Sequence, residues 1–240
     1  MDAVPHETQL RKFSDLGGTI QMSESHKGSR LAGLGGIAFG VLTVIGLEVG
    51  SAPGGNYGEA DVASYVGIGH FPTVIVTGYL AMLGVLGLIC LLAYLREAIA
   101  AQPDRAIAAN IFWGAGIASA ASFAAGWGLV TGIAVDAAEG GSAVAIPHPV
   151  TYMLSDTFIN VIFGSGAIFL GFALIALMFG ARASLPSWVR WVSLIAGVLA
   201  VTAPFYFASP AVPLWGIVVG IWLLVARRVQ VRVAAVQRTA

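Results

Sequence analysis

Six apolar runs, near residues 31–50, 71–95, 107–135, 157–180, 188–207 and 211–226, alternate with stretches that hold every lysine and arginine of the chain and stretches that hold none. Each run is about as long as the roughly 20 residues that carry a helix across a hydrocarbon core. The basic residues fall in four places: Arg11, Lys12, Lys27 and Arg30; Arg96 and Arg105; Arg182 and Arg190; and Arg227, Arg228, Arg232 and Arg238. Cytoplasmic segments retain Lys and Arg. The spacing therefore predicts an all-α polytopic membrane protein, a six-transmembrane-helix bundle with both termini cytoplasmic. Residues 1–28 form an N-terminal cytoplasmic tail, 29–228 the transmembrane domain and 229–240 a C-terminal cytoplasmic tail. The stretches near 51–70, 136–156 and 208–210 face outward.

Composition agrees with that reading. The chain is 58% hydrophobic and 10% charged, against about 25% charged in soluble domains, and its mean hydropathy is +0.86. With 240 residues and short connections, no soluble catalytic domain can be built on either side. The formal net charge of zero hides a separation, because all twelve bases are on the expected inner side and the outer stretches carry only acids. Those bases are a topology signal, not a patch interleaved with aromatics, so nucleic acid is not an expected partner. Cys90 is the single cysteine and reads as a small apolar core residue. The first 28 residues are polar and carry both signs of charge, unlike a signal peptide, so the first span is read as uncleaved.

Within the tail, Leu10, Phe13, Leu16 and Ile20 recur at helical spacing. This is either an interfacial helix on the inner leaflet or a disordered tail. Residues 59–66 read as a short outer helix. Two prolines around His148, at Pro147 and Pro149, are expected to hold that segment extended. Gly36 and Gly40, Gly46 and Gly50, Gly128 and Gly132, and Gly216 and Gly220 stand four apart and are read as helix-packing faces. Trp188, Trp191, Trp215, Tyr152 and Tyr206 fit interfacial aromatic belts. The spacing Gly33, Gly35, Gly36, Ile37, Gly40 reappears as Gly164, Gly166, Ala167, Ile168, Gly171 in a helix of opposite direction, the pattern of an inverted repeat.

Ionisable groups inside a membrane are costly unless paired or functional. Glu48, Asp156 and Asn160 could together form an outward-opening cation or proton site; the plainer reading, interfacial residues and interhelical hydrogen bonds, is preferred. His70 and His148 both precede spans on the outer side, with Glu59, Asp61, Asp136 and Glu139 near them in sequence. Two imidazoles and a carboxylate could hold a divalent metal, although the spacing matches no ligand motif and surface histidines are the simpler account. No histidine or lysine falls within a span, so buried haem, a retinal Schiff base and an intramembrane serine hydrolase are set aside. Walker A and HExxH motifs are absent, and no cofactor is expected.

Arg30-Leu31-Ala32-Gly33, the helix around Asp61-Val62-Ala63, Leu185-Pro186-Ser187-Trp188 leading to Gly197-Val198, and Leu214-Trp215 through Arg227-Arg228 resemble a broad group of actinobacterial multi-span membrane proteins, a family known only as a domain of unknown function. The resemblance covers roughly 29–228. It implies a bacterial inner-membrane protein and brings no catalytic residues. The expected function is non-enzymatic: an accessory or assembly subunit of a larger membrane complex, with the lipid bilayer and a membrane-protein partner or a second copy as its contacts. The alternatives are a small transporter with 3+3 inverted halves, its site near Gly36 and Gly166, and an outer-face metal-binding sensor or enzyme.

Overall fold

Long runs with apolar residues on every face leave a chain little choice but helix, and the computed structural model is helical with no strand among the described residues. It describes the backbone of residues 6–53, 58–102, 104–139, 147–203 and 210–239, and side chains between 28 and 226 within those stretches except 68, 137 and 163. The elements are α1 (His6–Gly50), α2 (Ala60–Tyr65), a 3-10 turn (Ile68–His70), α3 (Phe71–Ala100), α4 (Ala106–Ala138), α5 (His148–Val161), a π-turn (Ile162–Gly166), α6 (Ala167–Gly180), α7 (Ser187–Val201) and α8 (Ala211–Thr239).

Among the described residues four helical stretches are long and apolar enough to cross a membrane: 28–50, 71–100, 106–136 and 148–180. The fifth and sixth apolar runs form shorter apolar helical stretches, Ser187–Val201 and Ala211–Ala226, the latter being the first part of α8. At 1.5 Å per residue α7 extends only about 22 Å, less than a hydrocarbon core of about 30 Å. The run expected at 188–207 thus forms helix only to Val201, and residues 204–209, with Tyr206, lie outside the described residues. Backbone α-helix begins at His6 and continues unbroken into the first apolar run, while the side chains of the Leu10, Phe13, Leu16 and Ile20 stripe lie outside the described residues.

The fourth helix starts earlier than the sequence suggests. Pro147 is extended (φ −54°, ψ 135°), but His148 already opens α5, with a proline in its first turn. That position suits proline, because the first N–H groups of a helix have no intrahelical acceptor and the ring's fixed φ is helical. The segment expected to be extended through Pro149 is therefore a helix start, and Thr151, Tyr152 and Ser155 become part of a helix face.

Consecutive long helices run antiparallel and close into a ring. α1 packs on α3 and α8, α3 on α4, α4 on α5 and α6, α6 on α7, and α7 on α8. The centre is filled by fully buried large side chains: Phe39 from α1, Phe112, Phe123 and Trp127 from α4, Leu88, Leu91, Leu92 and Leu95 from α3, and Leu170 from α6. Phe39 and Phe123 meet edge to face at 5.8 Å between centroids. The opposite face of α3 is equally apolar yet exposed, with Val76, Tyr79, Leu83 and Leu86 each more than half accessible. An apolar surface of this kind is compatible with lipid contact and ill suited to water.

Small residues set how closely the helices approach. A methyl group on Gly35 would lie 2.5 Å from the Gly87 carbonyl oxygen, and one on Gly171 would lie 2.6 Å from that of Gly197. Backbones in near contact are the packing mode open to helices in lipid, where the hydrophobic effect supplies no attraction between them. Gly36, Gly40, Gly216 and Gly220 do pack as expected, joining α1 to α8. Gly128 and Gly132 do not: a side chain at either would meet open space. They share the spacing of the true packing pairs but lie on a stretch of α4 surface that no described helix covers. Trp215 also departs from expectation. It is buried inside the bundle, not placed in an interfacial belt, and its Nε1–H donates to Ser193 Oγ at 2.9 Å, linking α8 to α7. Trp188 and Trp191 are roughly half exposed, as a belt requires.

Candidate functional site

The two ends of the bundle differ in chemistry. At the end holding the basic connections, Gln102 joins the two: its Oε1 accepts from the Ala183 N–H at 3.2 Å, and its side-chain amide lies 3.0 Å from Ser184 Oγ. Arg96 is exposed there, its guanidinium 5.7 Å from the centre of the Trp113 ring. At the other end the described ionisable groups are acids and histidines, and aromatic rings gather around Tyr65.

Tyr65 is placed by α2, a single amphipathic turn that buries Val62 and Tyr65 and exposes Asp61. Its ring lies 4.4 Å from that of His70 and 5.9 Å, edge to face, from that of Tyr152 on α5. The Tyr65 hydroxyl is hydrogen-bonded to Ser155, also on α5, and burial raises its pKa above the usual 10.0. The Tyr152 hydroxyl donates to the Pro53 carbonyl. These contacts bind the connection between α1 and α3 to the start of the fourth long helix. Thr151, one turn before Ser155, is buried, and neither its hydroxyl nor His70 Nε2 has a hydrogen-bond partner among the described residues.

The residues singled out from sequence are distributed as follows. His70 is half-buried in the aromatic cluster, whereas His148 is exposed at the first residue of α5. Among the described residues no group of three or more His, Cys, Asp or Glu side chains converges on a point that could hold a metal. Asp156 is exposed and accepts from Asn160 Nδ2 at 3.1 Å. Glu48 is exposed on α1, a helix whose main neighbours are α3 and α8, while α5 packs on α4. Asp156 and Asn160 are thus brought together as an i, i+4 pair on one helix, and Glu48 stands on α1. Tyr65, Thr151, Tyr152 and Ser155 were not singled out as a site. Tyr65 lies in the short helix expected at 59–66 and Tyr152 among the expected belt residues, but the spacing Thr151–Ser155 is legible as one face only if this stretch is known to be helix.

Both glycines proposed to expose backbone at a transport site are shielded. Gly36 is buried against Gly216 and Gly220. Gly166 lies under the Phe123 ring, and its carbonyl accepts from Ser119 Oγ at 2.7 Å. The matching glycine spacings also occur in unlike settings: Gly35 meets Gly87 on α3 within an unbroken helix, whereas Gly164 and Gly166 belong to the π-turn.

His70 carries a pH prediction. Burial pulls its pKa below the usual 6.5, so folding favours the neutral ring. That contribution to stability is fully present above about pH 6.5 and is lost as the pH falls through 6.5 towards the lower folded value. Melting curves of the detergent-solubilised protein from pH 8 to pH 5 should show a decline that is smaller in His70→Gln. Parallel declines in the two proteins would show that His70 contributes nothing to it.

No protein-family model, curated protein or solved structure matches this chain.

Proposed function

We propose that this chain is a six-span protein of the bacterial cytoplasmic membrane, kin to the actinobacterial multi-span group it resembles, with its basic end and both termini in the cytoplasm. On this reading it acts without catalysis, as an accessory or assembly subunit that works through its lateral and outer surfaces. The observation that carries the reading is the filled centre. Phe39, Phe123 and Trp127 fill the interior of the ring, and Gly36 and Gly166 are covered, so that among the described residues the lipid-facing surfaces and the Tyr65 cluster are offered to another molecule. Helix association in lipid depends on complementary packing and interhelical hydrogen bonds, so exposed small residues such as Gly132 and Ala125, with the half-buried Gly128 beside them, suit close approach by a neighbouring helix.

Two measurements test this. Single cysteines at positions 96 and 182, in a Cys90→Ala background, should resist impermeant thiol reagents applied from outside intact cells and react after permeabilisation, whereas one at position 61 should react in intact cells. The reverse pattern would overturn the topology. Recovery after mild solubilisation should bring down a stoichiometric membrane protein or a second copy, and a protein recovered only as a lone monomer would overturn the accessory reading.

A small transporter is the second reading, favoured by the π-turn at Ile162–Gly166 in the middle of the fourth long helix. Single π-turns frequently mark functional positions in helices. Substrate uptake by proteoliposomes that is lost in Ser119→Ala would favour it.

A further inference from the structure

A furrow of about 500 Å³ runs along the outer surface of the seam between α3 and α4. Its α3 wall includes Met82, Leu86 and Ile89, and its α4 wall Ile117, Ala121 and Ala124. The furrow opens outward, since Leu86, Ala121 and Ala124 are exposed. The alanines of α4 create it: larger side chains cover the corresponding face of α3, and the two helices cannot close over the missing volume.

The same seam ends in a cation. On α3 the stripe Met82, Leu86, Ile89, Ala93, Arg96 follows the three- and four-residue steps of one helix face, and on α4 the stripe Trp113, Ile117, Ala120, Ala124 does the same. Arg96 and Trp113 face each other across the seam. By helical rise, Arg96 lies about 10 Å beyond Ile89 along the axis. Glu97, the neighbouring acid, is turned about 100° away around the helix. An apolar trough that leads to an exposed guanidinium beside an interfacial tryptophan has the polarity of a phospholipid, with tail first and phosphate last. A helix from another protein would place apolar surface against Arg96, whereas an anionic headgroup gives it a partner.

We propose that the α3–α4 furrow is a binding site for an anionic phospholipid of the leaflet at the basic end, its acyl chain lying along Leu86, Ile89, Ile117 and Ala121 and its phosphate at Arg96. The inference rests on the membrane reading above and is independent of whether the chain has a protein partner. The phosphate accepts hydrogen bonds from the guanidinium, and Trp113 supports that guanidinium from below through its ring face. Ala121 and Ala124 leave room for the chain.

The test uses the full-length protein in a non-denaturing detergent with equal amounts of phosphatidylglycerol and phosphatidylcholine bearing identical chains, read by native mass spectrometry. The first retained lipid should be phosphatidylglycerol by about fivefold over phosphatidylcholine, the preference one arginine confers at an anionic surface. Arg96→Gln should reduce the ratio to near one, Arg96→Lys should keep most of it, and Arg182→Gln on the other basic connection should leave it unchanged. Ala121→Phe, an exposed substitution that fills the furrow, should lower retention of both lipids. The proposal is overturned by equal retention of the two lipids in the parent, by an Arg182→Gln effect equal to that of Arg96→Gln, by undiminished retention in Ala121→Phe, or by a dimer whose formation excludes the lipid. Recovery of the protein in the soluble fraction after an alkaline carbonate wash would instead sink the membrane reading itself, which separates the two failures.

Discussion

Gly35→Leu should abolish a stably folded protein, because the new side chain would begin 2.5 Å from the Gly87 carbonyl oxygen with rigid backbone on both sides. Overpacking of a well-filled interior typically costs about 1–3 kcal/mol and more where nothing flexible can yield, and here the obstacle is a helix backbone. The two helices must separate along their length, which also releases the contacts of Gly46 and Gly50 with Ala81 and Thr77 of α3. A loss of about 3 kcal/mol or more is expected, seen as aggregation in size-exclusion chromatography or a greatly lowered melting temperature in detergent. Gly132→Ala provides the comparison, since a methyl there meets open space and alanine is favoured over glycine in helices by about 1 kcal/mol. That variant should melt at or slightly above the parent. A Gly35→Leu protein melting within about 2 °C of the parent would mean that α1 and α3 do not approach as described.

Trp215→Ala should be nearly as damaging. Its indole is 1% exposed and joins α7 to α8 through Ser193, along a seam that is otherwise open enough to hold a furrow of about 210 Å³ lined by Val192, Leu199, Leu214 and Val218. Removing a buried aromatic side chain costs about 3–5 kcal/mol. Trp215→Phe should cost less, because Ser193 Oγ also bonds to the Val189 carbonyl at 2.8 Å and is not stranded when the indole N–H is lost. Trp188→Ala is the control: that ring is 46% exposed and packs at 6.2 Å, edge to face, only on the Trp222 ring among the described aromatic pairs. Equal destabilisation by Trp215→Ala and Trp188→Ala would show that Trp215 has no special place in the interior.

These two cases show where a linear reading stops. Spacing alone made Gly128 and Gly132 as good a packing pair as Gly36 and Gly40, because four-residue recurrence marks a face without saying what covers it. Trp215 had the sequence position of a belt residue, and only the partner hydroxyl on α7 explains its burial. The Tyr65 cluster is not legible along the chain, where Pro147 and Pro149 point to an extended segment, whereas proline in a helix's first turn removes a donor that had no acceptor. Once α5 begins at His148, Tyr152 and Ser155 fall on one face and meet Tyr65 of α2.

The order of apolar runs, the segregation of cations to alternate connections and the dominance of helix were all legible from the chain, because they depend on transfer free energies and backbone hydrogen bonding summed over many residues. Which helices touch, which glycines permit that contact, and how the α3–α4 seam leads to Arg96 depend on side-chain shape at single positions. Such selection is made only when the helices compete for the same interior, and no local pattern records its outcome.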